Sequence, residues 1–300
     1  MSTRLKFSLS SLLFPVLAAG LFLTGFAAQR SERDREQHQE RFAKTVPLAR
    51  EGAFTLSNIA GDIQVETWNR AEVQIEAIKT SHASTLELAQ ENAQLVEIVV
   101  EAVENEVRVE TQYPKNHNRN LNVSVEYVVM IPDRAAASIN SVSGNIRAAG
   151  VGGKARLKTV SGDVDGQRLQ GPTEAKSVSG GVTVGDTLDS VTCESVSGSV
   201  RAINVGGETR VKSVSGDVTV ANSRGAVDAE ALSGNVEIAE AANTGFDLRA
   251  STFSGRIKTD FDLAADASDD DGKNVRGSVN GGGKSIRVKS FSGDVRLTRQ

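Results

Sequence analysis

SVSGSVRAINVGGETRVKSVSG, residues 195–216, holds one full turn of the repeat that decides the fold of this chain. Its two Ser-Gly pairs stand 18 residues apart, and the same spacing separates Gly144, Gly162, Gly180, Gly198, Gly216 and Gly234. Looser returns follow at Gly255 and Gly293. A serine precedes each glycine: Ser143, Ser161, Ser179, Ser197, Ser215 and Ser233 on the strict beat, then Ser254 and Ser292. A fixed period near 20 residues is the signature of a solenoid, whose units stack and do not fold alone.

Each unit is numbered from its glycine. Positions 3 and 5 are small and mostly apolar, as in Val182/Val184 and Val200/Ala202. Positions 12, 14 and 17 follow suit, as in Ala155/Leu157/Val160 and Val191/Cys193/Val196. The period of two predicts two short strands per unit with these positions facing inward. Gly153, Gly171, Gly207 and Gly225 at position 10, with the Ser-Gly seam, are expected to turn the corners. Hairpins would leave the inward faces uncovered, whereas stacking like on like covers them. The expected fold is therefore all-β, a parallel β-solenoid of two-strand coils. A left-handed hexapeptide helix needs an apolar residue every six positions, and Lys158, Lys176, Glu194, Lys212 and Glu230 at position 15 speak against it. Coils climb about 4.8 Å each.

No aromatic residue occurs from Val128 to Thr244. This fits a thin interior that admits little beyond Val, Ile, Leu and Ala. Phe246, Phe253, Phe261 and Phe291 appear where the beat loosens, and are expected to plug the end of the stack.

The chain has 300 residues and a net charge of −4, with dispersed basic residues, which argues against a nucleic-acid partner. Arg4 and Lys6 precede the uncharged run Phe7–Ala28, which ends in small residues. This reads as a signal peptide over 1–27, or as an uncleaved N-terminal anchor, since the run is long enough to span a bilayer. The body is expected to be exported to the periplasm, envelope or cell surface, with membrane contact only through that segment. Residues 28–46 read as a charged linker. Residues 47–135 are expected to form a small α+β N-terminal cap. It opens on a degenerate rung, SNIAGDIQVETW at 57–68, and holds a helix started by Ser84 with Glu87 in a capping box. Strands are expected over 96–103, 107–113 and 121–131, and the array with its C-terminal cap over 136–300.

The early rung SNIAGDIQVETWNRAEVQIEAIK, the stretch VSVEYVVMIP, the repeated SVSGDV rungs and the ending GSVNGGGKSIRVKSFSGDVRL resemble one family over about residues 50–300. It is the bacterial exported "putative adhesin" family of β-strand-repeat domains, a domain of unknown function. The resemblance implies surface adhesion and carries over no catalytic residue.

Candidate chemistry is sparse. GGGKS at 281–285 lacks the phosphate-loop glycine at 278, where a serine stands, and reads as a turn before the last rung. Asp269, Asp270 and Asp271 could offer carboxylate oxygens to calcium, but the full loop pattern fails and a solvated loop is the reading preferred. His38, His82 and His117 are too scattered for a metal site. Cys193 occupies a core slot that other units fill with Leu157, Ala175, Val211 and Ala229. The seam serines are expected to bond turn backbone. Position 13 (Arg156, Glu174, Thr192, Arg210, Asp228) and position 15 largely alternate in sign, a self-neutralising face. Asp165 has Arg147 and Thr183 as ladder neighbours, and no carboxylate pair with aromatic company recurs. The expectation is a non-enzymatic, cofactor-free, adhesin-like binding or structural module whose partner is an envelope or surface protein or glycan. The alternatives are an anchored or periplasmic sensor or scaffold, and a carbohydrate-active β-helix enzyme. The expected contact surface is the strand faces or the 256–285 insertion.

Overall fold

The computed structural model describes residues 35–114, 121–266 and 272–300. Six successive strand pairs turn from one sheet to the other, opening with β8 (Ala136–Ser143) and β9 (Ile146–Ala149). The N-terminal half comprises β1 (Glu36–Pro47), β2 (Ala53–Ala60), β3 (Ile63–Trp68), β4 (Glu72–Ala83), α1 (Leu86–Gln94), β5 (Glu97–Val103), β6 (Glu106–Gln112) and β7 (Val123–Pro132). After β9 come β10 (Ala155–Ser161), β11 (Val164–Gln167), β12 (Thr173–Ser179), β13 (Val182–Thr187), β14 (Val191–Ser197) and β15 (Val200–Val205). The regular part ends with β16 (Thr209–Ser215), β17 (Val218–Ser223), β18 (Val227–Ser233) and β19 (Val236–Glu240). Six elements follow: β20 (Phe246–Ser254), β21 (Ile257–Thr259), β22 (Ala264–Asp266), β23 (Asn274–Val279), β24 (Lys284–Ser292) and β25 (Val295–Arg299).

Two large, unclosed, parallel-rich sheets result. Sheet A runs β1-β4-β7-β3-β9-β11-β13-β15-β17-β19-β25-β21. Sheet B runs β22-β23-β20-β24-β18-β16-β14-β12-β10-β8-β2-β6-β5. Successive units pair in parallel at a shift of 18 residues, as in Leu157↔Ala175↔Cys193. The all-β expectation with stacked two-strand units is met, and the architecture is consistent with a solenoid.

Space order departs from chain order at both ends. β24 and β25, the last strands of the chain, lie between β18/β19 and β20/β21. At the other end β2 and β3 lie between β8/β9 and β6/β7. Three of the four sheet ends close on antiparallel strands, β4 on β7 and β1 on β4 in sheet A, β5 on β6 and β22–β23 on β20 in sheet B, while β21 at the other end of sheet A pairs in parallel with β25.

The interior is lined by positions 3, 5, 12 and 14, as expected, and Val182, Val184, Val191 and Cys193 are fully enclosed. Burying each valine contributes about 1.5–3 kcal/mol relative to exposure. Two further inward positions were not anticipated. Position 8 (Val151, Leu169, Thr187, Val205, Ser223) is buried, and so is position 16 (Thr159, Ser177, Ser195, Ser213, Ala231). Position 17, expected inside, is outside, because strict alternation from 12, 14 and 16 sends 13, 15 and 17 outward.

The corners also differ from expectation. The left-handed corner residue is position 7: Arg168, Asp186, Asn204 and Asn222 have φ of 53–56°. Asparagine and aspartate tolerate this region better than other side chains. The position-10 glycines serve close approach instead, since a Cβ on Gly171 would lie 2.5 Å from the Gly153 carbonyl oxygen. The seam stacks glycine over glycine. Position-16 hydroxyls donate to the carbonyls of the rung below, as Ser177 to Gly162 at 2.9 Å and Ser195 to Gly180 at 2.8 Å. Position 2 adds a side-chain ladder: Asp62 accepts from the amide of Asn145, Asn145 from Asp163, and Asp163 from Gly181.

Three local expectations are corrected. Residues 36–46 of the expected linker belong to strand β1, paired in register with β4 from Glu36↔Ala83 to Pro47↔Glu72. An edge strand facing solvent needs no apolar face, so a charged sequence conceals it. The helix is capped by Thr85, whose hydroxyl accepts from Leu88, and not by Ser84. Of the four phenylalanines, Phe246 and Phe261 are buried and meet edge-to-face at 5.1 Å, whereas Phe253 and Phe291 lie outside. The segment 1–27, residues 28–34, His117 and Asp269–Asp271 lie outside the described residues.

Candidate functional site: an apolar row on the outer face of sheet B

Alternation along β8, β10, β12, β14, β16 and β18 brings Val142, Val160, Val178, Val196, Val214 and Leu232 into one outward column. Their exposures run from 36% to 52%. Ile59 on β2 continues the column at one end, and Phe291 on β24 and Phe253 on β20 continue it at the other. Nine adjacent strands thus each present one large apolar side chain to solvent. Scattered exposed apolar residues are ordinary, but a contiguous row of this length is a mark of an interaction surface.

The row grows in bulk along the stack. Phe253 and Phe291, exposed by 67% and 54%, lie parallel with ring centroids 4.8 Å apart. With Val214 and Leu232 they line an open groove of about 690 Å³, whose rim carries Lys212, Glu230 and Lys289.

Beside the row run the charged columns at positions 15 and 13. Lys176 pairs with Glu194 at 2.9 Å, Lys212 with Glu230 at 3.4 Å, and Arg287 with Asp228 at 3.7 Å. Glu174 is the hub, reached by Arg156 at 2.9 Å, Lys158 at 3.0 Å and Lys176 at 3.2 Å. Burial opposes its charge, but hydrogen bonds from Lys158, Arg156 and Lys176 outweigh it and hold the carboxyl at about 2. A carboxyl whose folded value lies below its ordinary 4.5 stabilises the fold above that pH, and the contribution fades as pH falls from 4.5 toward 2. With solvent screening, Glu174→Gln is expected to cost about 1 kcal/mol at pH 7 and almost nothing near pH 2. Urea midpoints of the two proteins across that range check this; a constant difference would refute it.

Sheet A carries a more polar groove of about 390 Å³, lined in part by Arg201, Asp217, Glu237, Asp294 and Arg296. No aromatic side chain lines it. Asp217 and Asp294 accept from the amides of Asn235 and Arg256, so these carboxylates serve the seam ladder.

The family model described as Toastrack DUF4097 matches residues 53–298, from the first residue of β2 into β25. The chain belongs to the Toastrack DUF4097 family. None of the curated proteins matches it. Among solved structures, it is similar to a "putative adhesin" from Bacteroides fragilis at 13% identity, covering 87% of this chain and 97% of that one, with a TM-score of 0.48. A "putative cell adhesion protein" from Clostridium sporogenes is similar at 11% identity over 88% and 100% of the two chains, with a TM-score of 0.27. A "putative lipid binding protein" from Parabacteroides distasonis is similar at 9% identity over 87% and 96%, with a TM-score of 0.28.

The Toastrack rungs place the other residues singled out by sequence. The seam serines are exposed, and the hydroxyls that reach seam carbonyls belong to position 16 instead. Cys193 is fully enclosed, and burial pushes its thiol well above the usual range, which leaves it protonated and unreactive. His38 lies 3.3 Å from Glu40, while His82 sits on the neighbouring strand opposite Gln37. Among the described residues, no group of three or more His, Cys, Asp or Glu is placed to hold a metal. Asp165 stands between Arg147 and Thr183 and accepts from Gln167 at 2.7 Å. GGGKS forms the turn between β23 and β24, with Gly281 and Gly282 at φ of 84° and 83°. Its Lys284 points into the fold: 10% exposed, it lies 2.8 Å from the Glu240 carboxylate and donates to the Ser223 carbonyl. Sequence reasoning missed the apolar row. The signal is the alternation of 12, 14 and 16, which sends the apolar residue at 17 outward.

Proposed function

We propose that this Toastrack chain is an exported, non-enzymatic module of the cell envelope, adhesin-like, that works by contact through the outer face of sheet B. The apolar row from Ile59 to Phe253 carries the reading, because the fold itself gains nothing from nine large apolar side chains left in water. Export is supported by Arg4 and Lys6 ahead of the uncharged run Phe7–Ala28. The names of the similar structures point the same way, toward adhesins and binding proteins. The antiparallel strands and α1 at the N-terminal end act as a cap that keeps the parallel edges from adding further strands. The catalytic alternative finds less support: in the sheet A groove Asp217 and Asp294 are engaged with backbone amides, and no aromatic side chain lines it.

Protease shaving of intact cells, followed by N-terminal sequencing of the mature protein, tests this. The expected result is loss of the chain from intact cells and a new N-terminus after Ala27. Retention of the full chain in the cytosolic fraction would overturn the reading. An exposed chain that keeps its first residues would move it to the anchored sensor or scaffold class.

A further inference from the structure

We infer that the partner of this face is a second copy of the chain, docked antiparallel about a two-fold axis that passes through Val196. The inference takes its surface from the reading above and adds the occupant.

Three features of the face select this partner. The first is size. Val196 lies on β14, the middle of the nine strands β2-β8-β10-β12-β14-β16-β18-β24-β20. Nine strands at ~4.8 Å and three outward columns make a face of roughly 40 by 20 Å, which matches the about 800 Å² per partner of a stable interface. The second is the gradient of bulk. Rotation about an axis in the face and parallel to the strands sets Ile59 against Phe253 of the second copy, Val142 against its Phe291, and Val160 against its Leu232. Large then meets small and the gap stays even. A parallel arrangement would set phenylalanine on phenylalanine and valine on valine, leaving a wedge.

The third feature is charge. The same rotation lays column 15 on column 15 and column 13 on column 13. Lys158 faces Glu230 of the second copy, Arg156 faces its Asp228, and Glu174 faces its Arg210, each contact occurring twice by symmetry. Lys176 meets Lys212 and Glu194 meets itself, but each lies diagonally beside an opposite charge one strand away. An apolar column bordered by paired charges is the anatomy of a protein–protein interface, with its dry centre and polar rim.

Crosslinking of the full chain in intact cells tests the geometry. The sequence holds a single cysteine, Cys193, which is enclosed, so an introduced surface thiol reacts alone. Val196→Cys, treated with a short bis-maleimide, is expected to give a covalent dimer at least about tenfold more abundant than Val142→Cys gives. In the dimer the two copies of position 142 lie six strand spacings apart, about 29 Å, beyond the reagent's reach. Lys158→Glu in the Val196→Cys background is expected to reduce the dimer about tenfold, and adding Glu230→Lys to restore it. Within one chain these residues are four strands apart, about 19 Å and past the screening length, so rescue can come only from a second copy. Equal crosslinking at 142 and 196 would overturn the antiparallel axis. No crosslink at either, or a monomer that floats with phospholipid vesicles, would overturn the second copy as the occupant. Either result leaves the export reading standing if shaving still removes the chain.

Discussion

Gly180→Ala lowers stability by at least about 3 kcal/mol, read as a fall in urea midpoint at unchanged slope. The new Cβ would lie 2.0 Å from the Gly162 carbonyl oxygen and 2.5 Å from its carbon. Both are backbone atoms in the middle of the stack, so no side chain can swing aside. The seam has to open, which strains the bond from the Gly180 amide to the Ser197 carbonyl and the one from the Ser195 hydroxyl to the Gly180 carbonyl. Gly181→Ala is the matched control. Its Cβ meets nothing closer than 3.5 Å and its backbone is not left-handed. It is expected to shift stability by less than about 1 kcal/mol in either direction. Similar losses at 180 and 181 would show that the seam tolerates a side chain and that glycine there is incidental.

The second large effect lies where the final rung enters the stack. Lys284→Met is expected to cost about 3–5 kcal/mol at pH 7, because it strands the Glu240 carboxylate without its cation. Glu240 is 3% exposed, and burial already raises its pKa against the pull of Lys284. A carboxyl with a raised folded pKa gains stability when protonated, so removal of the lysine should matter less as pH falls through that value. The loss in Lys284→Met is therefore expected to shrink at pH 4.5 compared with pH 7. Lys284→Met combined with Glu240→Leu should recover most of the stability, since a packed apolar pair often replaces a buried ion pair at little cost. Urea unfolding of the three proteins at both pH values measures it. An unchanged loss at pH 4.5, or a double variant no better than the single, would place the effect elsewhere, in packing around β24.

The repeat made much of the fold legible. Position-by-position alternation placed Val182, Val184, Val191 and Cys193 in the interior, and the array contains no aromatic residue where the interior is thin. Three things were concealed, each for a physical reason. Strand β1 takes its order from the backbone of β4, and its half-covered face of His38, Glu40 and Phe42 is mostly polar, so its pattern is masked in the sequence. The corner residues Asp186, Asn204 and Asn222 look like surface polar residues until their left-handed backbone is seen. The exposed valines look like core residues by type, although the period of two assigns them to the outside. The stacking order was beyond reach of the sequence, since one SVSGDV rung fits above any other. For the candidate site, the charge columns are legible in the sequence, and the apolar column beside them follows from the same period of two.

The interleaving of both ends has a consequence for how such a chain changes length over generations. β2/β3 and β24/β25, near the two ends of the chain, are internal layers held on both sides by neighbours. Trimming the C-terminus removes a middle layer and cuts β20/β21 off from β18/β19. In-frame duplication of an 18-residue unit between Gly144 and Gly234 disturbs neither end, because each new layer repeats the contacts of the last. Whole layers can therefore be added or removed in the centre while the two clasped ends keep their contacts.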